Sequence, residues 1–415
     1  MLVLPVGPGL RWIDRSHLGD SKEREGAAIC AAGRDGRERW FVPPRLRTTD
    51  QTEERHATWL ELFFDLVFVV AITELSRELV FDHSAGGFLR FAALFVPVYV
   101  AWQGYTFYAT RFDTDDLAQR LVYFGAMLAI AAMAVQIDDV AHGRHTAGFA
   151  VAYVLLRSLM LALYARAWRA VPEARPLVRL YGTGYTIGVA IWLVSLAFDT
   201  PYRYVVWVVA QLLELSLPPL STRIHRRVPT SGSHVPERWA LFTLIVLGES
   251  VVAVAIETAD ANWRFVSAAA AVLGFTAVSC VWWLYFDRQA NVVLRGTAPA
   301  VVIYSYAHLP LLMGLAATSA GLRLLIERAG EDRLGAGAAA ALLGGVVLYL
   351  LSLMVTRSVT VAGPRRLGVS IKLAVITIIL ALSLLESVIP PLAVASGLAL
   401  VLGAMVYAER MFLSA

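Results

Sequence analysis

Two carboxylates lie four residues apart in an otherwise apolar stretch. The segment TWLELFFDLVFVVAITEL, residues 58–75, carries Glu61 and Asp65. Residues four apart on a helix share one face, roughly 6 Å from each other, where like charges repel. Such a pair can share a proton or hold a cation. The alternative is an ion pair with an arginine, such as Arg111 or Arg120, that joins this segment to its neighbours.

A third acid, Glu249, lies in the sequence VLGES at residues 246–250. Gly248 allows a neighbouring helix to approach closely, and Ser250 can donate a hydrogen bond across an interface. In a membrane-spanning helix Glu249 would lie about 15 Å beyond Trp239, near the bilayer midplane. A single carboxylate at that depth is typical of a coupling site in an ion-driven transporter. The alternative is an acid that stays protonated, or that pairs with Arg157 in another apolar block, and serves only packing.

His308 also lies inside an apolar block, two residues before Pro310. The proline leaves a backbone carbonyl without its helical partner and can kink the helix. A histidine there can relay protons. The alternative is a structural histidine held by hydrogen bonds.

Two polar clusters offer ligands for metal ions. In RFDTDD, residues 111–116, three aspartates could hold a divalent cation. The alternative, purely structural interpretation is a loop. In that interpretation Asp113 is an N-cap or turn residue, and Asp115 and Asp116 begin the next helix. The second cluster is the acid pair at 138–139 with His142 and His145, which could bind a transition metal or lie in a solvated loop. The sequence therefore predicts no metal site.

Composition determines the class of protein that must position these residues. Of the 415 residues, 58% are hydrophobic and 16% are charged, against about 25% charged in a soluble protein. The apolar residues form blocks of about 20, the length that crosses a bilayer. The 36 basic residues, against 32 acidic ones, are nearly all arginines, and they lie mainly between these blocks. That placement is the positive-inside signal, so no nucleic-acid partner is expected.

The predicted fold is an all-α polytopic transmembrane helix bundle of about twelve spans, with the first at 59–81 and the seventh at 239–258. Residues 1–56 are predicted to be a disordered cytoplasmic tail, and residues 222–236 a cytoplasmic linker. They flank two six-helix halves, 57–221 and 237–412. Arginine-rich loops alternate with arginine-poor ones, which predicts that both termini are cytoplasmic.

A weak internal similarity supports an interpretation of the two halves as six-helix repeats. DLVFVVAI at 65–72 matches ESVVAVAI at 249–256, which places Asp65 against Glu249. Because six spans separate the matches, the repeats would run parallel, as in transporters whose halves are related by an axis along the membrane normal.

Three motifs in a fixed order carry a resemblance to a known family. TWLELFFDLVFVVAI, then WQGYTFYATRFDTDD at 102–116, then ERWALFTLIVLGESVVAVAIE at 237–257 resemble the bacterial low temperature requirement A family over about residues 55–410. The motif residues include Trp59, Phe63, Arg111, Asp113, Asp116, Gly248 and Ser250. The resemblance implies a membrane protein named for a growth phenotype in the cold, and it implies no catalytic residue and no cofactor.

These observations leave three function classes. The leading hypothesis is a transporter of a small solute or ion in the cell membrane, proton-coupled through Asp65 and Glu249, with Glu61, Arg157 and His308 as further site candidates. The second is a non-transporting scaffold or envelope factor for growth under stress. The third is an intramembrane enzyme acting on lipids. No nucleotide loop, serine-nucleophile motif, HExxH or CxxC is present, which disfavours an enzyme.

Overall fold

The computed structural model describes residues 42–46, 58–222, 224, 234–261, 264–287, 292–295, 297–361 and 366–413. Most of the predicted tail and most of the predicted linker lie outside the described residues. Within the tail, residues 42–46 are described, and strand β1 (Arg45–Leu46) pairs antiparallel with β2 (Phe112–Asp113).

Thirteen helices make up nearly all of the described chain. The first seven are α1 (Trp59–Phe81), α2 (Ala85–Arg111), α3 (Leu117–Val135), the short α4 (Ile137–Ala141), α5 (Thr146–Ala170), α6 (Arg175–Ser195) and α7 (Tyr202–Ser221). The other six are α8 (His234–Asp260), α9 (Phe265–Phe286), α10 (Ala298–Glu327), α11 (Ala336–Ser358), α12 (Arg366–Leu384) and α13 (Pro391–Leu413). The predicted all-α fold is confirmed for these residues.

Eleven of the described helices are long and apolar enough to cross a membrane. The exception among the long helices is α1, which has 23 residues but also carries Glu61, Asp65, Glu74, Arg77 and Glu78. Helix α1 contacts α2, α3, α8 and α10, so neighbouring helices surround much of its charged surface. The chain is thus a multi-pass helical bundle, while the count of twelve spans and the cytoplasmic termini stay predictions.

The helices of the two predicted halves pack in the same order. In the first half α1 contacts α2 and α3, followed by α3 with α5, α5 with α6 and α6 with α7, while α2 contacts α7. In the second half α8 contacts α9 and α10, followed by α10 with α11, α11 with α12 and α12 with α13, while α9 contacts α13. This shared order is what a duplicated six-helix unit predicts.

The centre of the bundle is α10, the most enclosed candidate span, with 83% of its most apolar window buried. Glycines bring its backbone against α11. A Cβ on Gly314 would lie 2.6 Å from the carbonyl oxygen of Gly345, and one on Gly321 would lie 2.3 Å from the backbone nitrogen of Leu342. Only residues without a side chain fit here, as at close helix crossings in membranes generally. A π-helical turn, Ala340–Gly344, interrupts α11 beside this crossing.

Candidate functional site

Helix α1 begins with a capping box built from Thr58 and Glu61. The Thr58 hydroxyl accepts a hydrogen bond from the Glu61 backbone N–H at 3.3 Å, and the Glu61 carboxylate accepts one from the Thr58 N–H at 3.2 Å. The pairing satisfies two N–H groups that a helix start leaves without partners. The presence of Glu61 in this apolar segment therefore has a local structural reason, because its side chain stabilises the start of the helix.

Asp65, one turn further along, is fully buried and pairs with an arginine from the second half of the chain. Its Oδ1 accepts hydrogen bonds from Nη2 of Arg238 on α8 and from the indole N–H of Trp102 on α2, both at 2.8 Å. Arg238 Nη1 also lies 3.5 Å from the Glu61 carboxylate. One guanidinium therefore bridges both acids, which removes much of their mutual repulsion.

The arginines expected from the sequence to pair with these acids lie elsewhere. The Arg111 guanidinium lies over the rings of Phe107 and Tyr181, and Arg120 forms an ion pair with Asp115 at 2.9 Å. Arg238 falls just outside the predicted seventh span, 239–258, among the arginines of the preceding cytoplasmic loop. Its position immediately before Trp239, at the start of an apolar block, was the one available signal that it could be buried.

Aromatic rings enclose the Asp65–Arg238 pair. Trp102 stacks on Phe242 with ring centroids 4.1 Å apart and meets Trp239 edge to face at 5.0 Å. Trp239 in turn donates its indole N–H to the Tyr99 hydroxyl at 3.0 Å. Because these rings come from both halves, the ion pair lies in a buried, cross-half interface where its electrostatic attraction is stronger than in water.

Glu249 is buried and pairs with Arg323 rather than with Arg157. Arg323 on α10 donates Nη2 to Glu249 at 2.8 Å, and its Nη1 also lies 3.3 Å from Glu257. The Thr73 hydroxyl of α1 donates to the other Glu249 oxygen at 2.8 Å. The alternative that pairs Glu249 with Arg157 therefore names the wrong arginine, although a buried ion pair is present. The signal for Arg323 in the sequence is its position near the end of the apolar stretch at 298–324.

The motif residues next to Glu249 and those at the start of α1 differ in how exposed they are. Ser250 is buried, but a Cβ on Gly248 would meet nothing within 4 Å. The close helix approach expected at Gly248 is therefore wrong. Trp59 and Phe63 are exposed, at 88% and 50%, as expected of side chains that face a bilayer or its interface.

Arg157 belongs to a separate buried cluster in the first half. It forms a short ion pair with Glu214 on α7, and the Tyr153 hydroxyl donates to the same Glu214 oxygen at 2.7 Å. The Arg157 guanidinium also lies over the ring of Tyr185, 4.9 Å from its centroid. Arg157 thus ties α5 to α6 and α7 and carries no contact to Asp65 or Glu249 among the described interactions.

His308 is buried in α10 with both ring nitrogens in hydrogen-bonding distance of partners. Nδ1 lies 2.8 Å from the Tyr304 carbonyl and Nε2 lies 3.0 Å from the Tyr285 hydroxyl. A carbonyl oxygen only accepts, so Nδ1 carries the proton and Nε2 accepts from Tyr285. These contacts match the structural alternative for this histidine.

A cavity of about 660 Å³ lies at the start of α1, between the first two sequence motifs, TWLELFFDLVFVVAI and WQGYTFYATRFDTDD. Its wall includes Trp59, Glu61, Phe63, Asp113, Asp115 and Arg120. Glu61, Asp113 and Asp115 supply carboxylates to this wall. Asp115 pairs with Arg120, and Arg238 lies 3.5 Å from Glu61, so a cation bound at Glu61 would compete with Arg238 for that carboxylate. Glu61 is the link to the interior, since it contacts both the cavity and Arg238.

The contacts of Asp116 support the loop interpretation of RFDTDD, but the residue that caps the next helix differs from the predicted one. Asp116, not Asp113, is the N-cap of α3, accepting the Gln119 N–H at 2.8 Å. It also accepts the Val42 N–H at 2.7 Å and pairs with Arg166 at 2.5 Å. Burial raises the pKa of Asp116, but the hydrogen bonds from Val42 and Gln119 and the Arg166 guanidinium together hold it below its ordinary value. Asp113 lies opposite Arg45 in the short β-ladder.

Comparison with known proteins places this architecture in a family. Residues 56–407 match the model for "Bacterial low temperature requirement A protein". The chain is also similar to a protein of Rhizobium meliloti (strain 1021) named "Uncharacterized protein RA0937", with 30% identity over 336 residues that cover 75% of this chain and 78% of the relative. The matched region contains all three sequence motifs and the cavity between two of them. The chain therefore belongs to the bacterial low temperature requirement A family.

Proposed function

We propose that this protein is a membrane transporter of a small solute or ion, most simply a cation, and that its substrate enters at the cavity beside Glu61. The observation that carries the proposal is the placement of Arg238, which contacts Glu61 in the cavity wall and buried Asp65 behind it. Glu61, in the cavity wall, and Asp65, in the cross-half ion pair, thus share one guanidinium. With the termini in the cytoplasm, the cavity faces that side of the cell membrane.

The sharing of Arg238 supplies a mechanism for coupling. A cation bound at Glu61 competes with Arg238 for that carboxylate, so occupancy of the cavity changes the energy of the Arg238–Asp65 pair. When the halves separate, Asp65 loses its cationic partner and takes up a proton. Proton coupling is therefore assigned to Asp65. Glu249 and Arg323 lie together in the second half and act as a fixed pair.

The shared packing order of the two halves supports the same proposal. Transporters with parallel repeats work by rocking one half against the other around a site between them. Here α1 meets α8 and α10 at the boundary of the halves, and the Asp65–Arg238 pair lies on that boundary. An ion pair on this boundary whose strength depends on a ligand in the cavity can shift the equilibrium between closed and separated halves.

Flux measurements in proteoliposomes test the proposal. Purified protein is reconstituted with a trapped pH-sensitive dye, a pH gradient is imposed, and Na⁺, K⁺, Mg²⁺, Ca²⁺ or choline is added outside. We expect one of these cations to dissipate the gradient in the wild type and not in Asp65→Asn. Glu74→Gln is the matched control, because Glu74 is a partly exposed acid on the same helix whose partner is exposed Arg77.

Glu61→Gln separates cavity binding from folding, since a glutamine retains the side-chain oxygen that the capping box uses. We expect it to raise the cation concentration needed for half-maximal flux, with little loss of thermal stability. The transporter proposal is refuted if the pH gradient dissipates no faster in vesicles with folded wild-type protein than in empty vesicles, whichever cation is added.

That negative result would favour the second candidate, a non-transporting scaffold or envelope factor. The observation on its side is that Asp65, Glu249 and Arg157 are all buried in ion pairs. A scaffold uses such pairs only to fix helix packing. It therefore predicts that Asp65→Asn lowers stability without any flux to lose.

A further inference from the structure

Three side chains of metal-binding type converge at the far end of α1, away from the cavity. They are Glu78 of α1, Asp138 of α4 and His142, which directly follows α4. One ligand atom from each lies within 4.8 Å of the other two. Glu61 and Glu78 are 17 positions apart on one helix, about 26 Å at the rise of 1.5 Å per residue, so this cluster is independent of the proposed transport site.

The distances within the cluster suit a shared ion. His142 Nδ1 lies 3.4 Å from Asp138 Oδ1 and 4.0 Å from Glu78 Oε1. Nitrogen and oxygen ligands about 2.1 Å from a tetrahedral ion are separated by roughly 3.4 Å. The Asp138–His142 distance already matches this spacing, the Glu78–His142 distance exceeds it by about 0.6 Å, and the His142 ring must turn from the Asp138 carbonyl to bind an ion.

Glu78 is the feature that points to a ligand. Its side chain is 2% exposed, and its Oε1 is buried without a hydrogen-bond partner. The nearest cationic candidate, His142, is too distant for a hydrogen bond. The arginines nearest to it in sequence pair with other acids, Arg77 with Glu74 and Arg90 with Asp82. A buried carboxylate oxygen without a partner is costly, and a bound cation would remove that cost.

The neighbouring residues flagged in the sequence have other partners. Asp139 pairs with Arg144 and with His145, both at 2.9 Å. Arg144 also contacts Asp138 through Oδ2 at 2.9 Å, which orients that carboxylate and leaves Oδ1 toward His142. The structure thus replaces Asp139 and His145 in the candidate ligand set with Glu78, which is about 60 residues earlier in the chain.

We propose that Glu78, Asp138 and His142 form a site for a divalent transition-metal ion of the Zn²⁺ type. One imidazole nitrogen with two carboxylate oxygens suits such an ion, whereas Ca²⁺ and Mg²⁺ prefer oxygen ligands throughout. His142 Nδ1 lies 2.9 Å from the Asp138 carbonyl and donates to it. Binding uses the other tautomer, in which Nε2 carries the proton and Nδ1 the metal. The bound ion would fasten the end of α1 to α4.

The test uses the full chain in detergent or nanodiscs, stripped with a chelator and titrated with Zn²⁺ by calorimetry. We expect one Zn²⁺ per chain and no comparable binding of Ca²⁺. His142→Ala and Glu78→Gln should each weaken Zn²⁺ binding by at least about tenfold, the order seen when metal-site residues are altered. His145→Ala is the matched control, because His145 is an exposed histidine three positions away, and it should bind as the wild type does.

Thermal unfolding gives a second readout. Zn²⁺ should raise the Tm of the wild type and of His145→Ala, and it should leave the Tm of His142→Ala unchanged. If Glu78→Gln fails to fold, the exposed positions His142→Ala and Asp138→Asn decide the matter. The proposal is overturned if the wild type binds no stoichiometric Zn²⁺, or if His145→Ala loses as much affinity as His142→Ala.

Discussion

Asp65 on α1 accepts a 2.8 Å hydrogen bond from Arg238 on α8, so a buried ion pair joins the two halves of the protein. A second contact of α1 with the same helix, from Thr73 to Glu249, lies two turns further along. Helix α1 therefore supplies polar groups to the second half along its length. This explains how a helix with five charged residues packs against helices of both halves.

Breaking the Asp65–Arg238 pair should destabilise the fold strongly. Asp65→Asn leaves a guanidinium buried beside Trp102 with only Glu61 nearby, and Arg238→Gln leaves a buried carboxylate. Loss of one partner of a buried pair costs about 3–5 kcal/mol. Thermal unfolding in detergent should show a much lower Tm for both variants, and Glu74→Gln, at an exposed pair, should show almost none of this loss. A wild-type Tm for Asp65→Asn would contradict the assigned pair.

The acids around Arg323 should behave non-additively. Glu249→Gln alone leaves Arg323 with Glu257, so we expect a loss of about 1–3 kcal/mol. Glu257→Gln alone should cost about 0–1 kcal/mol, since that pair is partly exposed. The double variant leaves a buried arginine without either acid and should cost more than the sum. The ordering of the three Tm values measures this, and simple additivity would show that the two acids do not share Arg323.

The glycine crossing of α10 and α11 gives a third prediction. Gly321→Ala places a methyl group against the Leu342 backbone, which forces the helices apart at a cost of about 1–3 kcal/mol. Gly248→Ala is the control, because its Cβ meets open space, and its higher helix propensity should make it neutral or slightly stabilising. Equal Tm changes for the two variants would contradict the close approach of the backbones.

Asp116 predicts an acid-sensitive attachment of residues 42–46. Because its folded pKa lies below the ordinary value of 3.8, the stabilisation is fully present above pH 3.8. It is lost as the pH falls through the lower, folded pKa. Hydrogen exchange at the Val42 amide should therefore be slow at pH 7 and pH 5, after correction for intrinsic rates, and approach the unprotected rate below the folded pKa.

Asp116→Asn should speed the exchange of Val42 at pH 5 and pH 7, because it removes the charge that faces Arg166, and should make little difference below the folded pKa of Asp116, where the wild type has already lost that charge. Asp115→Asn is the comparison, since Asp115 pairs with exposed Arg120 at the surface and should leave the Val42 rate unchanged. Equal protection of Val42 in Asp116→Asn and wild type would show that the carboxylate does not hold this segment.

The sequence by itself predicted the helical membrane class, the family motifs and the first helix at 59–81, which is the observed α1. Blocks of apolar residues carry this information locally, because a helix must satisfy its backbone within its own segment when no water is present. The seventh span was predicted to begin at residue 239, but α8 begins at His234. Arg238 belongs to the helix because Asp65 neutralises its charge.

The partner of each buried charge was decided only by the tertiary structure. Arg238 lies 173 positions from Asp65, Arg323 lies 74 from Glu249, and Arg157 lies 57 from Glu214. Apolar helices of similar composition can pack in many orders, and sequence spacing does not distinguish among them. The sequence could therefore identify Asp65 and Glu249 as unusual. Which arginine each one meets depends on how α1, α8 and α10 come together, because an ion pair needs its two charges within a few ångströms.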